Sequence, residues 1–309
     1  MNRFGRFARL FLVLAFPVSL VSCHVAIDPG PNSTESPSLS PAPSPSNWPS
    51  STASPSISPT ASGSETTSPS STPSALQKAV ALYYVGKTEL GFRLYREFRN
   101  MPVGHDAGLA SLRFLVKNKQ RPLDGDYFNL WGNGSTINYI NYTGEKATVD
   151  ISVVPLNAGS ETELRAIDQL VWTLTANHPA TKFVNFTSGG KKFESFAGHV
   201  DARKAFSREL HYEVLAPVWV DQVAKIMSNP VVMRGTACTF EAGVHWQLFR
   251  DGEMIREGST LASGGCPIRG AWTVSLGILR SGDYLFSAQD ISAKDGSITQ
   301  EDSKDFSIR

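Results

Sequence analysis

Hydrophobic residues in the middle of the chain recur first with the period of strands and then with the period of a helix. Residues 78–85 (KAVALYYV) form an apolar run rich in Val and Tyr, and residues 92–99 (FRLYREFR) alternate with period two. Both patterns predict strands. The next segment, HDAGLASLRFLVKN, carries apolar residues at helical spacing, and its Asp106 is placed to cap the start of that helix.

A second round of strand and helix patterns follows. The segment TINYINYTGEKATVDISVV predicts a hairpin that turns at Gly144. The segment ETELRAIDQLVWTLTAN places five apolar residues on one helix face, with Ser160 or Thr162 as its N-cap. The segment TKFVNFTSGGKKFESFAG predicts a last strand, or a hairpin that turns at its glycine pair. This order predicts an α+β domain over residues 76–212, with helices packed on one side of a sheet.

The C-terminal part of the chain shows strand periodicity alone. In GVHWQLFRDGEMIREG, the pair Asp251-Gly252 marks a hairpin turn, and in AWTVSLGIL the alternation runs from Trp272 to Ile278. Short alternating strands over residues 213–309 predict an all-β sandwich. The stretch YEVLAPVWVDQ is expected to join the two domains.

The N-terminus has the pattern of an exported protein. Arginines precede the apolar run LFLVLAFPVSL, which is shorter than a membrane span of about 20 residues and predicts a signal peptide over residues 1–22. The tetrapeptide Leu20-Val21-Ser22-Cys23 resembles a bacterial lipobox, in which the cysteine receives a lipid and becomes the new N-terminus. We therefore expect lipidation at Cys23 and a cell-membrane location on the extracytoplasmic side. Simple secretion is the alternative.

Residues 23–75 have the composition of a disordered linker. Eleven of the chain's 19 prolines fall here among Ser, Thr and Ala, and no Lys or Arg occurs between Arg9 and Lys78. Such a segment buries too little apolar surface to offset the entropy of ordering. We expect it to hold the folded domains away from the membrane, at a distance of about 40 Å as a relaxed coil.

Charge and cysteine content narrow the function further. The net charge is +1 with both signs interspersed, so nothing predicts a nucleic-acid partner. Outside the cytoplasm, the pair Cys238 and Cys266 predicts a disulfide that ties a strand to the loop before Trp272. Two buried free thiols are the alternative.

Several of these segments together resemble the GerMN domain of sporulation and spore-germination proteins. They are the strands VALYYV and KFVNF, the helices AGLASLRFLV and AIDQLVWTLT, and the hairpin arm KATVDIS. The stretches APVWV, PVVMRGTACTFEAGVHWQLF and DISAKDGSITQEDSKDFSI are similar to the immunoglobulin-like domain found behind GerMN in bacterial envelope lipoproteins. The resemblance implies an α+β domain, an immunoglobulin-like sandwich and a non-catalytic envelope role related to sporulation or germination.

A search for reactive groups finds no catalytic motif in the sequence. The six histidines show neither HExxH nor zinc-site spacing, and Ser207, His211 and Glu213 are local neighbours without a G-x-S-x-G elbow. The acidic loops that begin at Asp124 and Asp295 lack the Gly and Glu of an EF-hand. We therefore predict no enzyme activity, no cofactor and no metal site. A looser calcium site in the last loop is the alternative.

The role expected from these features is binding. We predict a structural or protein-interaction lipoprotein whose partner is another envelope protein, or a second copy of the chain in a homo-oligomer. A peptidoglycan- or glycan-binding module is the alternative, with Trp131, Tyr139 or Tyr142 exposed to stack on sugars.

Overall fold

Two folded domains follow one another along the chain. The computed structural model describes residues 77–117, 121–131, 134–153, 159–196 and 198–309. The predicted signal peptide, the lipidation site Cys23 and the predicted linker lie outside the described residues. All described residues lie within one compact unit. None of the described helices has the length and apolarity that a membrane crossing requires.

The first domain is α+β, as predicted, but its strands form two sheets. Its elements are β1 (Gln77–Thr88), β2 (Gly91–Pro102), α1 (Ala107–Val116), β3 (Thr136–Thr143), β4 (Lys146–Ser152), α2 (Ser160–Asn177), β5 (Phe183–Ser188) and β6 (Lys191–Lys192). β1 and β2 form an antiparallel pair. The other sheet has the order β3-β4-β5-β6, and its β4–β5 pair is parallel. The expectation of one sheet is therefore wrong.

Helix α2 explains why β1 and β2 form a sheet of their own. β1 pairs with β2 along one edge, and polar side chains of α2 bind its other edge. Asn177 exchanges hydrogen bonds with the backbone of Ala81, at 3.0 and 2.7 Å. Thr173 Oγ1 accepts from Tyr83 N at 3.2 Å, and Gln169 Nε2 donates to Tyr83 O at 2.9 Å. Alternate strand residues lie about 6.6 Å apart and helix residues four apart lie about 6.0 Å apart, so the two spacings match.

The two long helices begin differently. α1 has the predicted N-cap, because Asp106 Oδ1 accepts from Leu109 N at 2.8 Å. α2 has Gly159 as its N-cap, without a side-chain hydrogen bond. The predicted caps Ser160 and Thr162 are wrong, because Ser160 is already the first helical residue.

Both predicted hairpins of the first domain are present. β3 and β4 turn at Gly144, whose φ is +57°. β5 and β6 turn at Gly189 and Gly190, with φ values of +56° and +77°. Residues with a Cβ atom rarely adopt a positive φ, so glycine is the residue that permits these turns.

The second domain is a sandwich of two sheets, which confirms the immunoglobulin-like fold. The short helix α3 (His211–Val214) precedes it, and its strands are β7 (Val218–Val220), β8 (Ile226–Met227), β9 (Val231–Ala237), β10 (Gly243–Arg250), β11 (Glu253–Leu261), β12 (Gly270–Gly277), β13 (Gly282–Ile291) and β14 (Ile298–Ile308). One sheet has the order β12-β9-β7 and the other the order β11-β10-β13-β14-β8. Trp272 of the first sheet and Phe286 of the second stack in the core, with ring centroids 6.1 Å apart.

The buried face of β12 ends before the sequence pattern suggests. Trp272, Val274 and Leu276 are buried, but Ile278 is 84% exposed. Gly277 has a φ of +69°, a conformation that takes the chain out of the strand. The expected alternation through Ile278 is therefore wrong.

The segment between the domains is part of both hydrophobic cores. Residues 214–216 pack in the core of the first domain, whereas Val218 and Val220 pack in the core of the second. Ala216 N also donates to Leu94 O of β2 at 3.0 Å. The boundary predicted between residues 212 and 213 falls within α3.

Candidate functional site at the domain junction

A buried polar network connects the first domain to β14 of the second. The rings of Tyr95 and Tyr127 stack with centroids 4.4 Å apart. From β14, Gln300 Nε2 donates to Tyr95 Oη at 2.8 Å, and Asp302 Oδ1 accepts from Tyr127 Oη at 2.6 Å. Lys304 Nζ donates to Tyr127 Oη at 2.8 Å and to Asp302 Oδ1 at 2.9 Å. These contacts tie the two domains together.

Lys304 supplies the positive charge of this network. Its side chain is 10% exposed and lies between Asp302 and Asp124, whose Oδ2 accepts from Lys304 Nζ at 2.5 Å. Burial disfavours the charged lysine, but the two carboxylates outweigh burial and raise the pKa of Lys304. Asp302 Oδ2 also accepts from Val220 N at 2.6 Å, so the start of the sandwich is held by the same carboxylate.

The second feature of the junction is a cleft of about 660 Å³, which we call the arginine cleft. Its lining includes three arginines and two tryptophans. The arginines are Arg96 of β2, Arg208 from the segment before α3 and Arg269 from the loop before β12, and the tryptophans are Trp172 and Trp219. The guanidinium of Arg208 lies 4.4 Å from the ring centroid of Trp172. Those of Arg269 and Arg96 lie 4.2 and 5.5 Å from the ring centroid of Trp219.

Neutral groups hold two of the three arginines of the cleft. Arg208 Nε donates to Thr175 Oγ1 at 2.7 Å, and Arg269 donates to Ala216 O. Within the described part of the chain, the ion pairs with carboxylates involve other arginines. Burial and the neighbouring charge of Arg96 lower the pKa of Arg208, and they lower the pKa of Arg269 to about 10. The cleft therefore concentrates positive charge.

The predicted disulfide is present beside this cleft. Cys238, which follows β9, is bonded to Cys266 in the loop before β12, and their Cα atoms are 4.6 Å apart. Pro267 and Arg269 of the same loop line the arginine cleft. The other predicted site residue, Cys23, lies outside the described residues.

Of the three aromatic residues expected to be exposed for sugar stacking, Tyr139 alone is well exposed, at 48%. Trp131 is fully buried, and its Nε1 donates to Ala166 O at 2.7 Å. Tyr142 is partly buried and stacks on His178 with ring centroids 4.1 Å apart. The expectation is therefore wrong for Trp131, because its loop supplies a core side chain.

The histidines are dispersed and have local contacts. His178, His199 and His245 lie within hydrogen-bond distance of Thr181 Oγ1, Glu163 Oε2 and Ser259 Oγ, respectively. His211 Nδ1 is buried and has no hydrogen-bond partner among the described residues. Ser207, His211 and Glu213 therefore do not form a hydrogen-bonded triad.

The acidic loops considered for calcium are used for other contacts. Asp124 pairs with Lys304, and Asp126 Oδ2 accepts from Ser303 Oγ at 2.9 Å. Asp295 Oδ1 accepts from the Ser297 hydroxyl at 2.7 Å. Over the described ranges, no group of three or more His, Cys, Asp or Glu is arranged to hold a metal ion.

The sequence patterns do not identify the arginine cleft. Its arginines lie far apart along the chain, and the fold alone brings them together. The one local signal is Arg96, which shares its face of the period-two pattern of β2 with Phe92, Leu94 and Phe98. An arginine among apolar residues on one strand face is unusual enough to mark for inspection.

Comparison with protein families gives two matches. Residues 81–194 match the family described as sporulation and spore germination, and residues 211–297 match the immunoglobulin-like domain of bacterial spore germination. The chain thus carries a GerMN-type domain followed by an immunoglobulin-like domain of the kind found in bacterial spore germination, as the sequence resemblance predicts. Neither family description names an enzyme activity. Among curated proteins, none matches the chain.

Two of the solved structures that the chain is similar to are from one sporulation protein. The first GerMN domain of GerM from Bacillus subtilis is 19% identical to this chain, over 42% of this chain and 98% of that domain, with a TM-score of 0.35. The tandem GerMN domains of the same protein are 14% identical, over 65% of this chain and 62% of that one, with a TM-score of 0.36.

Proposed function

We propose that this chain is a sporulation- or germination-related envelope lipoprotein that binds another envelope protein and catalyses no reaction. A lipid on Cys23 anchors it on the extracytoplasmic side of the cell membrane. The linker over residues 23–75 lets the folded domains extend away from that membrane. The single observation that carries the proposal is the pairing of two germination-family domains behind a lipobox. Two acyl chains hold a protein stably at a membrane.

The chemistry of the junction supports binding over catalysis. The lysine, carboxylates and tyrosines of the polar network are engaged with one another, so they act as an internal connection between domains. The arginine cleft, in contrast, is lined by cationic and aromatic side chains, a composition that suits recognition of a partner.

A crosslinking pull-down from living cells tests this proposal. The full-length chain is compared with its Cys23→Ala variant, which lacks the acceptor for the lipid. We expect the wild type to capture one envelope protein and the unanchored variant to lose it. Capture of nothing by the wild type, or equal capture by both forms, contradicts the proposal. Capture of a second copy of the chain alone identifies a homo-oligomer.

Glycan binding is the second candidate, and Tyr139 is the observation that favours it. This tyrosine lies on β3, at the edge of its sheet, and is 48% exposed. Co-sedimentation with purified cell wall tests the candidate, with Tyr139→Ala as the variant. Loss of co-sedimentation in the variant supports glycan binding, whereas a wild-type chain that stays in the supernatant removes it.

A further inference from the structure

The arginine cleft carries more positive charge than its own lining neutralises. Glu209 is the acidic side chain of the lining, set against Arg96, Arg208 and Arg269. The negative charge of Glu209 acts on Asp168, whose pKa is raised to about 7 by burial and, in part, by this neighbour. The arginines instead contact hydroxyl and carbonyl oxygens and aromatic faces. An anionic ligand would supply the counter-charge.

Three buried nitrogen atoms of the same lining have no hydrogen-bond partner among the described residues. Trp172 is 4% exposed, and its Nε1 is buried with no hydrogen-bond partner in the described part of the chain. The Nε atom of Arg269 and the Nδ1 atom of His211 are also buried and have no hydrogen-bond partner among the described residues. Native proteins leave few buried polar atoms unsatisfied, so the two N–H donors among them, on Trp172 and Arg269, favour a ligand with acceptor oxygens.

Large apolar side chains of the same lining remain exposed. Leu210 is 54% exposed and Tyr212 is 41% exposed, and both line the arginine cleft. A ligand that covers these side chains as well as the guanidinium groups must combine apolar groups with negative charge. Acidic peptide segments have this combination, whereas a polyphosphate chain offers oxygen atoms alone.

The tryptophans of the cleft are poor platforms for sugar rings. Trp172 and Trp219 are 4% and 3% exposed, and arginine guanidinium groups lie over their rings. Sugar stacking needs an open aromatic face, which these two residues do not present. The cleft therefore favours a peptide over a neutral glycan.

We propose that the arginine cleft binds an acidic segment of a protein partner, with carboxylates at Arg96, Arg208 and Arg269 and an apolar side chain against Leu210 and Tyr212. The inference rests on the proposed function and names the chemistry of the partner. Guanidinium and carboxylate groups form charge-assisted, bidentate hydrogen bonds, which give such a site specificity as well as affinity.

Fluorescence anisotropy with the purified full-length chain tests the chemistry of the ligand. The probe is a labelled hexapeptide of alternating glutamate and leucine, and the matched control replaces each glutamate by glutamine. We expect the acidic peptide to bind and its affinity to fall as salt rises, because salt screens partly exposed charges. Equal binding of both peptides overturns the proposal. Stronger binding of inorganic polyphosphate than of the acidic peptide also overturns it.

Three variants, one of them a control, locate the site on the protein. Arg96→Gln removes the cleft arginine that has no hydrogen bond to hold it in the described structure, and we expect about a tenfold loss of affinity or more. Arg203→Gln is the matched control, because Arg203 is exposed and paired with Asp201. Equal affinities of these two variants contradict the assignment. Leu210→Ser tests the apolar contact independently, and unchanged affinity there contradicts that part.

The pull-down in cells separates failure of this inference from failure of the proposed function. If the wild type captures an envelope protein and Arg96→Gln captures it equally, the partner binds elsewhere and the cleft assignment is wrong. If the wild type itself captures nothing, the proposed function fails, whatever the peptide does in solution. Capture by the wild type and Arg203→Gln, with loss in Arg96→Gln, supports both.

Discussion

At the scale of single residues, Asp150 of β4 shows how one buried carboxylate holds three strands. It is 1% exposed, and its oxygens accept from Asn138 Nδ2 at 2.7 Å, Thr187 Oγ1 at 2.7 Å and Gly190 N at 2.8 Å. These donors lie on β3, on β5 and in the turn before β6. Burial raises the pKa of Asp150, but the hydrogen bonds outweigh burial and lower it to about 2.

This pKa predicts a loss of stability in acid. The pKa of Asp150 is depressed by folding, so its contribution is complete above the ordinary value of 3.8 and is lost as the pH falls towards about 2. We expect Asp150→Asn to unfold more easily at neutral pH, by about 1–3 kcal/mol, because the Gly190 N–H loses a charged acceptor. Urea unfolding followed by circular dichroism across this pH range measures both effects.

The control for this prediction is Glu253→Gln, which neutralises an exposed carboxylate at the start of β11. Its stability should follow that of the wild type at every pH. The prediction is wrong if Asp150→Asn keeps the full acid sensitivity of the wild type between pH 3.8 and about 2.

At the scale of elements, α2 takes the place of a third strand beside β1. Its side chains at positions 169, 173 and 177 occupy the hydrogen-bonding positions that a neighbouring strand would use. Further along the same edge, Val85 exchanges backbone hydrogen bonds with Phe128 at 2.9 and 2.8 Å. An exposed edge invites pairing with another chain, and this coverage removes that hazard.

Replacing one of these side chains tests the role of α2. Thr173→Val keeps the shape of the side chain but removes the acceptor of Tyr83 N, so we expect a loss of about 1–3 kcal/mol in the free energy of unfolding. Thr162→Val, in the first turn of the same helix, is the control. Chemical denaturation of both variants measures their free energies of unfolding. Equal values would show that the Thr173 hydroxyl does not contribute to stability.

Close packing of β9 gives a second prediction for an element. A Cβ atom on Gly235 would lie 2.1 Å from Trp219 O and 2.3 Å from the Trp272 ring. Backbone cannot move aside as a flexible side chain does, so we expect Gly235→Ala to destabilise the sandwich by about 1–3 kcal/mol or more. Thermal unfolding measures the loss. Gly125→Ala is the control, because a Cβ atom on Gly125 would have no atom beyond its chain neighbours within 4 Å. This variant should leave the melting temperature nearly unchanged.

Local patterns predict the elements better than their arrangement. The turns at Gly144 and at Asp251-Gly252 follow from neighbouring residues, and both hairpins form as predicted. The separation of the first domain into two sheets depends on α2 reaching β1 across almost a hundred residues of sequence, which no local pattern shows. The arginine cleft escapes prediction for the same reason, whereas Cys238 and Cys266 are the one pair that cysteine chemistry itself identifies.

At the scale of the whole molecule, the polar network around Lys304 makes the two domains depend on each other. Lys304→Ala would leave the buried Asp302 and the partly buried Asp124 without their cation, and removal of one partner of a buried pair destabilises by about 3–5 kcal/mol. We expect the wild type to unfold in one transition and the variant to unfold earlier, with the domains separating first. Differential scanning calorimetry detects this change.

Lys294→Ala is the matched control, because Lys294 is an exposed lysine in the loop before β14. It should melt as the wild type does, with a single transition. A Lys304→Ala protein with an unchanged melting curve would mean that the hydrogen bonds of Gln300 with Tyr95 and of Asp302 with Tyr127 join the domains without help from the lysine.

The junction also constrains how such a chain can be rearranged during evolution. Residues 214–216 and Trp219 belong to the first core, whereas Val218 and Val220 belong to the second, so the two cores alternate along this stretch. Recombination that exchanged one domain alone would place Tyr95 and Tyr127 against a surface without Gln300 and Asp302. The two domains are therefore expected to be inherited as one cassette, and foreign modules are more easily inserted ahead of β1 than between them.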